Sequence, residues 1–354
     1  MKTTNKNTES CNHSIQPSNT SHLSRIGLRL TLTAVCLGGL AVSGLSSYAS
    51  AQELTNTSQA ATDHPGWAHL PGVIIRPDCA HEIPKGATVE IGKDGNLTGD
   101  VTLNGELIAH YEDCPEKAIV TRRSAHTQGV AQAQAKAQAQ EETGNGWIED
   151  DQWNSELGAS DDVDFMGSNW TVPAYPSEDD GQVIDLSNGI ASANNKYFLE
   201  AALVYGYNGI FGGNYYSIAT FLVGPSSVYY SAPDYVYPGD SLTGYIQMTG
   251  KSGSKKYWDI GIVDNSTGAN SLGSYWISGQ HWTIAYRGAL QAYDLNACAE
   301  FPASPRTVFS DAAVYHGYPN FYEFSYPNWV GGGYSYGGPA CFFAVVAASG
   351  TLDY

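Results

Sequence analysis

From Trp147 to Tyr354 the chain repeats one pattern: short runs of aromatic, β-branched and small residues, each closed by Gly, Pro, Asn or Asp. The plainest are Asn169-Trp170-Thr171-Val172, Val183-Ile184-Asp185-Leu186, Tyr216 to Val223, Ser227 to Tyr230, Leu242 to Met248, Trp258 to Val263, Trp282 to Tyr286 and Phe342 to Ala347. Runs of this length and residue type read as strands. No stretch carries a convincing amphipathic helical period. Regularly spaced strands without helices lead to an all-β fold, a β-sandwich or barrel. The 24 tyrosines and 39 glycines in 354 residues agree with it, because Tyr suits strands and Gly suits turns.

Within this region Tyr197 to Tyr205 reads as a buried strand, bounded by turn-forming Asn194-Asn195 and Gly206. Side chains alternate along a strand. Phe198, Glu200, Ala202 and Val204 therefore share one face, and Leu199, Ala201, Leu203 and Tyr205 share the other. One carboxylate is thus set among apolar neighbours. Burying it unpaired costs several kcal/mol by the scale for unsatisfied polar groups, so Glu200 needs a partner, water or a raised pKa. A second strand, Gly288 to Tyr293, carries Gln291 alone among small and apolar residues. Glu200 and Gln291, each isolated on an apolar strand, are the leading candidate site residues.

The start of the chain has the pattern of an export signal. Basic residues (Lys2, Lys6, Arg25, Arg29) precede the apolar run Leu30 to Leu45, and Ala49-Ser50-Ala51 offers a small-residue cleavage pattern before Gln52. The expected divisions are a signal peptide over 1–51, a small β-rich, propeptide-like module over 52–125, an Ala/Gln-rich linker over 126–145 and the large domain over 146–354. Short strands are expected at Val73-Ile74-Ile75, Thr88 to Ile91, Asp100 to Leu103 and Leu107 to Tyr111, with Asp94-Gly95-Asn96 and Asn104-Gly105 as hairpin turns. Four cysteines follow the signal, and an even number in an exported chain suggests disulfides. Three pairings are possible, of which Cys79–Cys114 and Cys298–Cys341 are favoured because the linker separates the two pairs. A staple suits a module too small to build much core. Module, exposed linker and larger domain form an arrangement expected of a zymogen.

A net charge of −18 argues against nucleic acid and against an anionic membrane surface as partners. The apolar run of the leader is too short and too rich in Gly and Ser for a membrane span. The expected location is outside the cytoplasm, extracellular or periplasmic. Gly-x-Ser-x-Gly, His-Glu-x-x-His and paired Asp-Thr/Ser-Gly signatures are all missing. Gly331-Gly332-Gly333 is read as a Tyr-rich loop, and His64, His69, His81 and His110 are too irregularly spaced for a metal site. The acidic clusters Glu149-Asp150-Asp151, Asp161-Asp162 with Asp164, and Glu178-Asp179-Asp180 are read as solvated loops. No cofactor and no metal are expected. What remains as chemistry is a carboxylate and an amide.

Several pieces, in order, resemble the eqolisins, the glutamic peptidases, and their bacterial relatives in particular. They are Asn169-Trp170-Thr171-Val172-Pro173, Asn188-Gly189-Ile190, Phe198-Leu199-Glu200, Tyr216-Ser217-Ile218-Ala219, Tyr237-Pro238-Gly239-Asp240 with Leu242-Thr243-Gly244, and Leu290-Gln291-Ala292-Tyr293. The resemblance covers about Gly146 to Phe301 and loosens after that. It implies a β-sandwich of two curved antiparallel sheets, jelly-roll or concanavalin-like, with a Gln and a Glu projecting from one concave face. The family's Gln belongs to the strand that here carries Glu200, and its Glu to the strand that here carries Gln291, so the dyad is exchanged. The implied activity is acid-acting endopeptidase chemistry on a polypeptide substrate, by a monomer. Glu200 would activate a water, and Gln291 would donate to the developing oxyanion. The competing reading is a non-catalytic secreted β-sandwich that binds polysaccharide or protein through Tyr215, Tyr216, Trp276 and Trp282. A glycoside hydrolase would need two carboxylates, and only Glu200 stands out as isolated on a strand.

Overall fold

The computed structural model describes residues 64–91, 99–120, 146–155, 162–304, 306–324, 327–333 and 344–347. All belong to one compact unit, Thr55–Tyr354. The export signal, the Ala/Gln linker, the Asp94-Gly95-Asn96 turn and the Cys298–Cys341 pairing fall outside the described residues.

The amino-terminal segment contributes β1 (Ala68–Leu70), β2 (Val73–Ile75), β3 (Ala80–Ile83), β4 (Thr88–Ile91), β5 (Gly99–Leu103), β6 (Glu106–Tyr111) and β7 (Ile119–Val120). The remainder folds as β8 (Gly146–Asn154), β9 (Phe165–Thr171), β10 (Val183–Ser192), β11 (Phe198–Tyr205), β12 (Tyr216–Val223), β13 (Val228–Ser231), β14 (Asp234–Val236), β15 (Ser241–Ser252), β16 (Lys255–Asp264), β17 (Asn270–Ser278), β18 (Trp282–Tyr293), β19 (Arg306–His316), β20 (Tyr322–Glu323), β21 (Val330–Gly333) and β22 (Ala344–Ala347).

These strands form a 9-stranded sheet in the order β21-β8-β18-β10-β11-β12-β13-β3, with β14 on β12. A 10-stranded sheet runs β20-β19-β9-β15-β16-β17-β4-β5-β6, with β22 on β19. One face of the first sheet packs on the second. Ile184, Leu186 and Ile190 of β10 and Leu199, Ala201 and Leu203 of β11 meet Ile246 of β15 and Trp258, Ile260 and Ile262 of β16 in a single core. The result is a β-sandwich, as the spacing of the strands requires.

The other face of the 9-stranded sheet is not open to water. Val183, Ala191, Phe198, Ala202, Val204 and Phe221 form a second apolar cluster with Leu70, Val73, Ile74 and Ile75. These last residues belong to a small 3-stranded sheet, β1-β2-β7. Strands β10, β11 and β12 are consequently buried at every position. A strand covered on both sides needs apolar residues on both faces, which is what Phe198 to Tyr205 supplies. The amino-terminal segment also extends both sheets, with β3 pairing β13 and β4 pairing β17, each in parallel. Cys79 and Cys114 are disulfide-bonded, with Cα atoms 5.7 Å apart.

Several local readings change: among them, Asp164 is buried and Asp162 pairs with Lys256, so neither is a solvated loop carboxylate. The runs Trp282 to Tyr286 and Gly288 to Tyr293 are one strand, β18, irregular where Tyr286 and Gly288 meet β8. Gly331 to Gly333 is not a free loop but pairs with β8 as an edge strand, where the absence of side chains is tolerated. Glu149-Asp150-Asp151 lies within β8, with Asp150 buried. Strands β17 and β19 carry no solid apolar run, because Ser, Gly and Asp interrupt their alternation.

Candidate functional site

Glu200 lies on β11 and Gln291 on β18, and β10 runs between them. The three strands place several polar side chains, Glu200, Asp185, Ser187 and Gln291 among them, on the face covered by the amino-terminal segment. Glu200 has Gly189 as its partner across β10. A side chain on Gly189 would meet the Leu199 carbonyl oxygen at 2.6 Å and Glu200 Cγ at 3.0 Å. Glycine at 189 is therefore what lets the Glu200 stem lie over the neighbouring strand.

Four residues before Gly189, Asp185 is the cross-strand partner of Gln291. Paired residues of antiparallel strands share a face, with Cβ atoms typically about 4.5–5.5 Å apart. The β10–β11 register is unbroken from Ile184 to Ala191, so Asp185 and Gly189 point to the same side. Asp185 is fully buried. Among the described residues neither of its carboxyl oxygens has a hydrogen-bond partner, and neither does Gln291 Nε2. Burial, followed by the charge of Glu200, holds the Asp185 carboxyl well above the usual carboxylate range. Asp185 is missing from the candidate residues drawn from sequence. It carries the signal that singles out Glu200, a lone carboxylate in an apolar run, Val183-Ile184-Asp185-Leu186.

A turn of the amino-terminal segment sits on this site. Pro71-Gly72 joins β1 to β2, and Gly72 adopts φ +74°, a left-handed conformation suited to glycine. The Gly72 N–H donates to Gln291 Oε1. A methyl on Gly72 would lie 3.8 Å from Glu200 Oε1 and 4.0 Å from Trp147 Nε1. Tyr293, at the end of β18, donates its hydroxyl to the Leu70 carbonyl oxygen at 2.9 Å. His69 stacks on Tyr293, with ring centroids 4.8 Å apart, and its Nδ1 lies 3.1 Å from the Asp294 carboxylate. The backbone of Leu70–Gly72 is thus held at both ends by β18, across the face that carries Glu200, Asp185 and Gln291.

The remaining histidines of the segment are engaged elsewhere. His64 stacks on Trp67, His110 lies between Asp100 and Glu112, and His81 packs on Tyr111 with burial lowering its pKa to about 4. Among the described residues no group of three or more His, Cys, Asp or Glu is arranged to hold a metal ion. Of the four rings considered as a binding platform, Tyr216 and Trp282 are core residues, and Tyr215 and Trp276 are half-buried. Among the described residues no helix is long and apolar enough to cross a membrane.

No family model matches the chain, and comparison with curated proteins finds no match. Two solved structures of scytalido-glutamic peptidase are similar to it. The one with a peptide-based transition state analog is 16% identical, covering 49% of this chain and 80% of that chain at a TM-score of 0.33. The one with a transition state analog inhibitor is 16% identical, covering 51% of this chain and 84% of that chain at a TM-score of 0.34.

Proposed function

We propose that the chain is the precursor of an exported, acid-acting glutamic endopeptidase. In this reading Glu200 is the general base that takes a proton from water and later passes it to the leaving amine. Gln291 turns an amide N–H toward the oxyanion of the tetrahedral intermediate, a donor worth about 3 kcal/mol in comparable sites. The segment 52–125 is a propeptide, the linker 126–145 is the place of cutting, and the domain 146–354 is the mature enzyme. The observation that carries the reading is the seat of the Gly72 peptide. A polypeptide backbone rests against the two proposed catalytic side chains: the Gly72 N–H donates to Gln291, and a Cβ added at Gly72 would lie 3.8 Å from Glu200 Oε1. A site that accommodates a backbone in this way is suited to a polypeptide substrate, and occupying it with a tethered strand turn keeps the precursor silent.

The test uses the full-length chain, incubated with a denatured protein between about pH 3 and 7, the span around an ordinary Glu pKa. The expected result is cleavage of the substrate that follows shortening of the chain within 126–145. Glu200→Gln should abolish both events. No cleavage by the parent chain at any pH, or equal cleavage by Glu200→Gln, would remove the peptidase reading.

A further inference from the structure

We propose that Asp185 is a third catalytic residue, the acid that works opposite Glu200. This rests on the peptidase reading of the site. Three features single it out. Asp185 is the cross-strand partner of Gln291 and faces the Gly72 turn side of the sheet. It is wholly buried, and neither oxygen finds a hydrogen-bond donor among the described residues. A structural aspartate in such a place is normally satisfied by donors, because an unpaired buried carboxylate is among the costliest groups to fold around. An acid that keeps its proton avoids most of that cost and retains a donor with nothing to give it to until a substrate arrives. Burial and the Glu200 charge both favour that protonated form. Among the described residues, other titratable groups on this side include Asp150 of β8, Tyr286 and Tyr293 of β18, Tyr230 of β13 with its partner Glu82 of β3, and His69 of β1 with Asp294. None of them pairs with Asp185.

The site then holds two carboxyl groups with different tasks. Glu200, ionised, removes a proton from water as the water oxygen bonds to the substrate carbonyl carbon. Asp185, protonated, gives its proton to the carbonyl oxygen, which the Gln291 N–H also steadies. In the second half Glu200 transfers its proton to the amide nitrogen, the C–N bond breaks, and the hydroxyl proton of the intermediate returns to Asp185. One water is consumed, an acid and an amine leave, and both carboxyl groups end in their starting states. Opposed environments that push two carboxyl pKa values apart are the usual way to obtain an acid and a base from like groups.

Activity should accordingly need Glu200 ionised and Asp185 protonated, giving a bell-shaped pH profile whose alkaline limb belongs to Asp185. The experiment compares the full-length chain with Asp185→Asn and Glu200→Gln. Asp185→Asn is expected to lower kcat by about 10²–10⁴-fold, the range for loss of a general acid, with KM little changed and the alkaline limb gone. Wild-type kcat with the alkaline limb intact would overturn the assignment. Infrared titration of the uncleaved chain gives a readout that does not depend on turnover. A protonated-carboxyl band should persist above the ordinary carboxylate range, be missing in Asp185→Asn, and titrate at lower pH in Glu200→Gln. No such band, or one indifferent to Glu200→Gln, would overturn the pairing of the two acids. A silent parent chain that nevertheless shows the coupled band would sink the peptidase reading and leave the acid pair standing.

Discussion

The backbone N–H of Gly72 donates to the side-chain oxygen of Gln291, 219 residues further along the chain. The bond ties the amino-terminal segment to the site it covers, and both partners are buried, so losing the donor leaves an acceptor stranded. Replacing Gly72 by Pro removes the N–H and imposes a φ near −65° where the turn needs +74°. An unsatisfied buried acceptor costs about 1–3 kcal/mol, and the backbone conflict adds to that. Gly72→Pro should lower the melting temperature of the full-length chain and speed cutting of the linker by an added protease. An unchanged melting temperature would show that the turn contributes nothing to holding the segment down.

Gly189 makes a sharper probe of Glu200. A Cβ at that position meets a backbone carbonyl oxygen at 2.6 Å and the Glu200 Cγ at 3.0 Å, and the carbonyl cannot swing away without disturbing β11. Gly189→Ala should cost about 1–3 kcal/mol of stability, the range for overpacking a filled interior. It should also displace the Glu200 carboxylate. A misplacement of about 1 Å costs on the order of 10²-fold in rate. The expected signature is a large fall in kcat with a modest fall in stability, read from substrate cleavage and from urea unfolding of the same preparation. Full activity in a folded Gly189→Ala chain would mean that Glu200 is not the base.

Much of this architecture is legible in the residues, and what is not has a physical cause. The two faces of Phe198 to Tyr205 follow from alternation alone, and their apolar character on both sides already requires two covering layers. The Asn104-Gly105 turn follows from its sequence, with both residues at positive φ between β5 and β6. Glu200 and Gln291 stand out as lone polar residues, and the fold does put them on one face, two strands apart. The neighbour between them does not follow from pattern, because β10 pairs with β18 across about a hundred residues of chain and local sequence does not specify such a pairing. In sequence Asp185 is for that reason only one more carboxylate on a strand. Its meaning depends on Gln291 lying opposite. The covering role of Leu70 to Gly72 is equally non-local, since Pro-Gly between two short apolar runs marks a turn without saying what the turn rests on.

The Cys79–Cys114 disulfide closes a loop with a sequence separation of 35, and within that loop lie β3 to β6, the strands that extend both sheets. On the chain-entropy model a loop of this size is worth about 4 kcal/mol. Replacing both cysteines by serine should loosen β3 to β6 before the middle of the sandwich, because these strands lie at the ends of the two sheets whereas β10, β11 and β12 lie inside one of them. Hydrogen exchange should show faster exchange in β3 to β6 and unchanged protection in β10, β11 and β12. Uniform acceleration across β10 to β12 as well would mean that segment and sandwich unfold as one unit.

Asp185 also makes a prediction about stability against pH, and the sign follows from its environment. Burial and the Glu200 charge raise its pKa in the folded protein above the ordinary value of about 3.9. Between those two values the folded chain holds a proton that the unfolded chain has released. Stability therefore falls as pH rises through this window, by up to about 1.4 kcal/mol per pH unit, and the group favours the fold most fully below the unfolded value. Asp185→Asn cannot ionise and should lack this contribution. The difference in unfolding free energy between variant and parent, from urea titrations at several pH values between about 3.5 and 8, should move in favour of the variant as pH increases. In Glu200→Gln, where the neighbouring charge is gone, the falling region of the profile should shift to lower pH. A difference between Asp185→Asn and the parent that stays flat across the whole range would mean that Asp185 holds no anomalous proton, and the acid role assigned to it would go with it.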